Sequence, residues 1–303
     1  MELGMIGLGK MGGFMVERLV RGGHRIIGLD RDPAAVARVV EKGATGAESI
    51  DKLIGQLKAP RAIWIMVPSG KPVDDTIDRL LPHLSPGDTI IDGGNSYYRD
   101  SVRRGAALAP KKINFVDCGT SGGVWGLTEG YSMMVGGDAE VVKRLAPIFQ
   151  TLAPGPEKGW GRVGPTGAGH YVKMVHNAIE YAIMQAYAEG LDLFRHKTEF
   201  GLDLLQITKI WQYGSVVRSW LLDLTVDALS KNPTLDGIEA FVTDSGEGRW
   251  TAMEGIEHGV PLPALTGALD ARFRSQDPQP FANKLLAMMR HEFGGHAVKT
   301  ATK

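Results

Sequence analysis

The sequence has few of the features that mark secreted, membrane-spanning or nucleic-acid-binding proteins. Its 303 residues include a single cysteine, Cys118, which excludes an intramolecular disulfide and favours a reducing, cytoplasmic location. The 34 basic and 34 acidic residues cancel, so no overall positive field favours nucleic acid or an anionic membrane. No apolar run approaches the length that crosses a bilayer, and the first residues lack a signal-peptide pattern. We therefore expect neither nucleic acid nor membrane as a partner.

The distribution of apolar residues predicts two domains. Up to about residue 165, short apolar runs alternate with helix-like stretches, which is typical of a mostly parallel sheet covered by helices. The predicted strands are 4–8, 25–29, 62–67, 89–92, 114–118 and 131–135, with an edge strand at 160–163. After a turn-rich segment at 164–167 the pattern is helical and begins with a long helix over 171–194. The sequence thus predicts a Rossmann-type α/β domain over 1–165 and an all-helical domain over 166–303.

A glycine-rich segment follows the first predicted strand. It is Gly7-Leu8-Gly9-Lys10-Met11-Gly12, a G-x-G-x-x-G element that precedes a predicted helix over 14–21. Glycines at this spacing permit a tight turn and a close approach of the backbone, and the helix N-terminus offers free N–H groups to a pyrophosphate. The segment predicts a dinucleotide site.

Acidic residues after the second predicted strand bear on the choice of dinucleotide. Asp30 stands where a carboxylate binds the adenosine ribose hydroxyls, and its charge would repel the extra phosphate of NADP. NAD is therefore favoured over NADP. Arg31 leaves two alternatives, since a guanidinium here could bind that phosphate or stack on adenine, whereas Asp32 again favours NAD.

The long predicted helix carries a polar stripe. Lys173, His176, Asn177 and Glu180 recur at helical spacing among apolar neighbours, so they share one face. After the glycine-rich approach at 164–170, this stripe predicts a polar patch that lines a cleft. The alternative is a solvated helix face with a Lys–Glu pair.

Motifs along nearly the whole chain are similar to those of one enzyme family. They are the glycine motif at 7–12, Asp92-Gly93-Gly94-Asn95-Ser96, Ser121-Gly122-Gly123, Gly167-Ala168-Gly169-His170 leading into 173–181, Gly248-Arg249-Trp250-Thr251, and Arg290 followed by Phe293-Gly294-Gly295-His296. This combination resembles the 6-phosphogluconate dehydrogenase family. The chain is similar to the compact bacterial type, without the duplicated helical domain of the long form.

The resemblance implies an activity and a set of site residues. The activity is oxidative decarboxylation of 6-phosphogluconate to ribulose 5-phosphate in the pentose phosphate pathway, with NAD and without a metal. Lys173 would accept and return a proton at the C3 oxygen, and Glu180 would protonate C1 of the enediol that remains after carbon dioxide has left. The implied substrate contacts are Asn95, Ser121, Gly122, Gly123, His176, Asn177, Tyr181, Arg272, Arg290 and His296. The implied cofactor contacts are Gly7, Leu8, Gly9, Lys10, Met11, Gly12, Asp30, Arg31, Val67 and Asn95.

One segment departs from the family pattern. Before Gly248, the long form has a Lys and a Thr that contact the substrate phosphate, where this chain has Ser245 and Glu247. The phosphate pocket would thereby lose a cation and gain an acid, for which Arg249 could compensate.

The resemblance also implies an assembly. The tail that carries Arg290 and His296 would reach the site of another subunit in a homodimer or higher oligomer. Two other functions remain open at this point. One is a dehydrogenase of the 3-hydroxyisobutyrate type, which needs no acid at Glu180, and the other is an inactive nucleotide-binding protein.

Overall fold

The computed structural model describes residues 1–300, and the chain divides into two compact units. The first covers 1–176 and the second begins at Asn177. The predicted domain boundary after residue 165 lies ahead of the long helix, whereas the units divide inside it, at His176. The first turns of this helix belong to the first unit because they pack on its sheet: a Cβ built at Gly169 would lie 2.5 Å from Met134 O.

The first unit is built on one sheet of eight strands. The strands are β1 (Glu2–Ile6), β2 (Arg25–Leu29), β3 (Thr45–Gly46), β4 (Ala62–Ile65), β5 (Thr89–Asp92), β6 (Asn114–Ser121), β7 (Ser132–Gly136) and β8 (Trp160–Gly164). Their order is β3-β2-β1-β4-β5-β6-β7-β8, and every neighbouring pair is parallel except β6 with β7. The strand order reverses between β1 and β4, which is the position where open α/β sheets bind ligands.

The predicted Rossmann-type fold is confirmed, with differences at the ends of elements. The first strand covers Glu2–Ile6 rather than 4–8, because the chain turns at Gly7, where φ is +95°. The third predicted strand ends at Ile65, two residues early, and β6 continues to Ser121. The sequence missed β3, since two residues are too few to form an apolar pattern.

Seven helices connect these strands. They are α1 (Lys10–Arg21), α2 (Pro33–Glu41), α3 (Ile50–Gly55), α4 (Lys71–Leu80), α5 (Tyr98–Leu108), α6 (Gly126–Glu129) and α7 (Ala139–Leu152). The helix predicted over 14–21 begins at Lys10, so Gly12 and Gly13 lie in its first turns. Glycine has a low helix propensity, and here tertiary packing overrides it.

Apolar side chains cover both faces of the sheet. Along β4, Trp64 packs in one buried cluster while Ile63 and Ile65 pack in the other, as the alternation of side chains in a strand requires. Leu3 and Met5 of β1 lie on the Trp64 side. Because both faces are covered, the ends of the strands and the loops that follow them are the parts of this sheet open to ligands.

The second unit is helical, as predicted. Helix α8 (Ala168–His196) begins in the first unit and is followed by α9 (Leu204–Trp211), α10 (Trp220–Lys231), α11 (Glu247–His258), α12 (Pro263–Gln276) and α13 (Phe281–Gly294). The long helix predicted over 171–194 extends further at both ends, to 168–196. Among residues 1–300, no helix combines the length and the apolarity needed to cross a membrane.

Candidate active site

The glycine loop after β1 lies directly on the chain that follows β4. A Cβ built at Gly7 would be 2.3 Å from Met66 O and 3.2 Å from Val67 Cγ1. A Cβ at Gly12 would be 2.1 Å from Gly7 O. Side chains therefore cannot be accommodated at either position, and the predicted cofactor residue Val67 adjoins the loop.

The N-terminus of α1 is accessible to solvent. Its N-cap, Gly9, makes no side-chain hydrogen bond, and a Cβ built at Gly9 would meet no atom within 4 Å. Lys10 is exposed beside it. Backbone N–H groups of the first helical turn have no intrahelical partner, so they are available to an anion here. These residues fit the pyrophosphate of a dinucleotide.

Asp30 is held against the same loop. Its Oδ2 accepts the Leu8 N–H at 2.6 Å and its Oδ1 accepts the Asp32 N–H at 2.8 Å. The Asp32 carboxylate instead caps α2 by accepting the Ala34 N–H at 2.9 Å, while Arg31 is exposed. Asp30 is thus the acidic side chain fixed at the glycine loop.

The Asn95 loop stands next to Val67. Asp92, which is fully buried, accepts the Gly94 N–H at 3.2 Å and the Ser96 hydroxyl at 2.7 Å. A Cβ built at Gly94 would lie 3.1 Å from Val67 O. These contacts fix the loop and leave the Asn95 side chain exposed beside the cofactor residues.

The Ser121-Gly122-Gly123 turn ends β6. The φ angles are +131° at Gly122 and +51° at Gly123, which explains the two glycines. The ring of Tyr131 supports the turn, since a Cβ at Gly122 would be 3.2 Å from Tyr131 Cδ1. Burial raises the pKa of the Tyr131 hydroxyl to about 12, so this side chain stays neutral.

Lys173 packs against β6 just before that turn. A Cβ built at Gly119 would be 2.3 Å from Lys173 Cβ, which shows how closely helix and strand approach. The Lys173 side chain is 5% exposed and Asn177 is 9% exposed, whereas His176 and Glu180 are half-buried. Burial of the lysine excludes the alternative of a solvated face at this end of the stripe.

Three residues hold α8 on the sheet, and this role was not predicted from the sequence. Asp117 accepts the N–H groups of Gly167 and His170 at 2.6 and 2.8 Å. Nδ1 of His170 lies 2.7 Å from the Ser101 hydroxyl of α5. No local pattern could have indicated these pairs, because Asp117 is 50 residues from Gly167 and Ser101 is 69 residues from His170.

A second polar cluster lies within the helical unit, around Tyr181. The Tyr181 hydroxyl is 2.9 Å from Ser245 Oγ, and Ser245 Oγ donates to Glu247 Oε2 at 2.5 Å. The guanidinium carbon of Arg272 lies 3.5 Å from the centre of the Tyr181 ring, and Arg272 donates to Thr243 O at 2.6 Å. Of the two departures from the family pattern, Ser245 therefore contacts the predicted substrate residue Tyr181, and Glu247 contacts Ser245.

Arg249, expected to offset the missing cation, has another partner. It forms an ion pair with Asp244 and its guanidinium lies 4.8 Å from the Phe273 ring centre. Arg290 and His296 are both exposed, and among the described residues no hydrogen bond or ion pair joins either of them to Tyr181 or Arg272. One chain thus brings Tyr181 and Arg272 together without the tail residues.

The histidines and acids form no metal centre in the part of the chain that the structure describes. No group of three or more His, Cys, Asp or Glu side chains is arranged to hold a metal ion there.

Comparison with known families accounts for both units. The family model for the NAD binding domain of 6-phosphogluconate dehydrogenase matches residues 2–162, and the model for the C-terminal domain of the same enzyme matches residues 169–301. The chain belongs to the 6-phosphogluconate dehydrogenase family. The resemblance expected from the motifs is confirmed.

Relatives within the 6-phosphogluconate dehydrogenase family include compact and long proteins. The NAD(+)-dependent, decarboxylating 6-phosphogluconate dehydrogenase of Haloferax volcanii is 42% identical over 299 residues, which is 98% of each chain. The decarboxylating enzyme of Bacillus licheniformis is 36% identical over 302 residues, 94% of this chain but 64% of that protein. The structure of Plasmodium falciparum 6-phosphogluconate dehydrogenase has a TM-score of 0.84 and 29% identity, covering 100% of this chain and 67% of that one.

Proposed function

We propose that this chain oxidises and decarboxylates 6-phosphogluconate to ribulose 5-phosphate and carbon dioxide, with NAD as hydride acceptor. The observation that carries the proposal is the buried Lys173 of α8, which packs against β6 just before the Ser121–Gly123 turn, in a chain of the 6-phosphogluconate dehydrogenase family. NAD, when bound, supplies the hydride acceptor of its nicotinamide ring. The glycine loop, Asp30, Val67 and Asn95 would hold it.

Lys173 is the proposed general base and acid at C3. As C3 loses its hydride, the neutral amine takes the proton of the C3 hydroxyl, which leaves a ketone β to the carboxylate. The C1–C2 bond then breaks and carbon dioxide leaves, while its electron pair forms an enediolate whose oxygen recovers the proton from Lys173. Donation of this proton by Lys173 polarises the ketone without a metal as the bond breaks, and the amine, neutral again, takes the enediol hydroxyl proton when the carbon is protonated.

Glu180 is the proposed acid for the carbon that loses carbon dioxide. It lies two helical turns after Lys173, about 10 Å along the axis of α8, so the two groups can serve different atoms of one substrate. His176 and Asn177 lie between them on the same stripe. With Asn95 and the Ser121-Gly122-Gly123 turn, they would orient the reacting end of the substrate.

Tyr181 and Arg272 are the proposed contacts at the phosphate end. The guanidinium of Arg272 stacks on the Tyr181 ring. This arrangement supports the role, because it places a cation and the Tyr181 hydroxyl in one cluster, and both can bind a phosphate. Glu247 adds a buried acid to the same cluster, where it would oppose an anion. Arg290 and His296 would complete the pocket from another subunit.

Incubation with 6-phosphogluconate and each nicotinamide cofactor tests the reaction. We expect equimolar NADH, carbon dioxide and ribulose 5-phosphate, and oxidation without carbon dioxide would instead indicate a dehydrogenase of the 3-hydroxyisobutyrate type. Tight NADH binding without turnover would indicate an inactive nucleotide-binding protein. Both alternatives are less favoured, because both family models that match belong to 6-phosphogluconate dehydrogenase.

The preference for NAD rests on Asp30. Its carboxylate is fixed by Leu8 and Asp32 where an extra ribose phosphate would be repelled, and the Haloferax relative is named NAD(+)-dependent. The Plasmodium structure, by contrast, was described with NADP+. We expect a higher kcat/KM with NAD than with NADP. Asp30→Ala should lower the ratio of these two kcat/KM values. A wild-type preference for NADP would refute the role of Asp30.

We also propose a homodimer, or a higher oligomer built from it, with shared sites. Helix α13 has no buried residue, and it presents six large apolar side chains to solvent: Phe281, Leu285, Leu286, Met288, Met289 and Phe293. A helix with so much exposed apolar surface is expected to dock on another chain. The cytoplasmic location expected from the single cysteine stays a prediction.

Complementation tests the shared site. Lys173→Ala and His296→Ala subunits are each expected to be impaired alone. When they mix at random, about half of the dimers are mixed and each has one intact site, so about a quarter of wild-type activity should return. Verified mixed dimers that are no more active than their parents would refute the arrangement.

A further inference from the structure

Asp117 is a buried carboxylate whose two oxygens are both occupied by the start of one helix. The residue is 0% exposed, Oδ1 accepts the Gly167 N–H at 2.6 Å, and Oδ2 accepts the His170 N–H at 2.8 Å. Because α8 begins at Ala168, these are N–H groups that helical hydrogen bonding leaves without partners. A negative charge at this end also interacts favourably with the helix dipole.

The backbone of β7 and of the start of α8 packs closely around the Asp117 carboxylate. A Cβ built at Gly136 would lie 2.5 Å from Asp117 Oδ1, and one built at Gly169 would lie 2.5 Å from Asp117 O. The helix start, β6 and β7 therefore touch through backbone and glycine. In such a contact the position of the helix depends on the few polar groups that join it to the sheet.

Three residues at alternate positions of β6 lie on the same face of the strand and contact or adjoin the proposed site. Asp117 holds the start of α8, Gly119 receives Lys173 Cβ, and Ser121 begins the substrate turn. Residues at i, i+2 and i+4 of a strand point to one side, so the three are aligned. Lys173 lies three residues after His170, less than one turn from the anchored N–H.

We propose that Asp117 is a positioning residue that sets the place of Lys173 relative to β6 and the Ser121–Gly123 turn. It acts on the reaction through the backbone of α8 and touches neither substrate nor cofactor. The inference rests on the proposed role of Lys173. The pair Ser101 and His170 adds a second tie, to the helix that follows the Asn95 loop.

Asp117→Asn is the direct test. The asparagine amide has the same shape as the carboxylate, but its NH2 must face either the Gly167 or the His170 N–H. One hydrogen bond is then lost, because two donors face each other there. A misplacement near 1 Å can reduce a rate about a hundredfold, and we expect kcat to fall by about that factor. The KM for NAD should change by less than about threefold, because the glycine loop is untouched. Deuterium at C3 of 6-phosphogluconate should lower kcat more than in the wild type.

Asp138→Asn is the matched control. Asp138 also accepts two N–H groups at a helix start, those of Glu140 and Val141, but α7 carries none of the proposed site residues. Asparagine caps helices about as well as aspartate, so kcat should stay within about twofold of the wild type. NADH titration gives the fraction of binding-competent protein for both variants.

The outcomes separate this inference from the proposed function. A wild type that releases no carbon dioxide from 6-phosphogluconate refutes the function, whereas a turning-over wild type with an Asp117→Asn variant that matches Asp138→Asn refutes the positioning role. If Asp117→Asn does not fold, Asp117→Ser keeps one acceptor. Should both fail to bind NADH, Asp117 serves general stability and the proposal is wrong.

Discussion

Replacement of Gly12 by alanine provides the sharpest test of the dinucleotide loop. The new Cβ would lie 2.1 Å from Gly7 O, whereas non-bonded carbon and oxygen atoms need more than about 3 Å, so something must move by about 1 Å. Gly7 cannot yield freely, because its N–H donates to Leu29 O at 2.9 Å and its Cα adjoins Met66 O. The strain must therefore deform the loop that would hold the pyrophosphate.

The size of the effect follows from the hydrogen bonds at risk. A hydrogen bond to a charged group contributes about 1.5–3 kcal/mol, and loss of one such contact from a loop amide to pyrophosphate raises Kd about tenfold to hundredfold. NADH fluorescence titration measures this directly, with the melting temperature as a check on folding. We expect weaker binding by at least tenfold in Gly12→Ala.

Gly13→Ala is the control at the next position of the same helix. The nearest atom to its Cβ is Leu8 O at 3.4 Å, an ordinary contact, and alanine favours a helix over glycine by up to about 1 kcal/mol. Gly13→Ala should bind NADH normally and melt at an equal or higher temperature. The reasoning is refuted if a folded Gly12→Ala variant binds NADH within about threefold of the wild type.

Three further predictions concern the reaction and the buried side chains. Lys173→Met and Glu180→Gln should each lower kcat by about a hundredfold to ten-thousandfold in steady-state assays while NADH affinity is retained, and near-normal kcat would exclude the assigned role. Glu247→Gln removes a buried acid that is joined to Tyr181 through Ser245, so KM for 6-phosphogluconate should fall about fivefold, which corresponds to about 1 kcal/mol, with no change in KM for NAD. Burial raises the pKa of the Cys118 thiol to about 12, so a thiol reagent at pH 8 should label the protein only after denaturation, and labelling of the native protein would contradict this burial.

Much of the first unit could be predicted because its signals are local. The spacing of Gly7, Gly9 and Gly12 after an apolar strand indicated the loop, and alternation of strands with helices indicated the sheet. The ends of elements were less predictable. Helix α1 includes Gly12 although glycine has a low helix propensity. Glycine is needed at this position because the backbone lies too close to Gly7 and the chain after β4 for a side chain to fit.

The candidate site also has a part that could be predicted from the sequence and a part that could not. The stripe from Lys173 to Glu180 follows from helical periodicity, and the family resemblance named the remaining contacts. The partners of Ser245 and Glu247 were unpredictable, since the Tyr181 hydroxyl that Ser245 meets lies 64 residues earlier in the chain.

The family, the order of the elements and the face on which Lys173 lies could all be predicted, because each depends on motifs or periods formed by residues close together in the chain. The contacts that hold that face in place are visible only in the folded chain. Asp117 reaches Gly167 across 50 residues, and Gly119 admits Lys173 because two backbones approach too closely for a side chain. Such contacts depend on how the sheet and helix pack, and no local period records the distance between them.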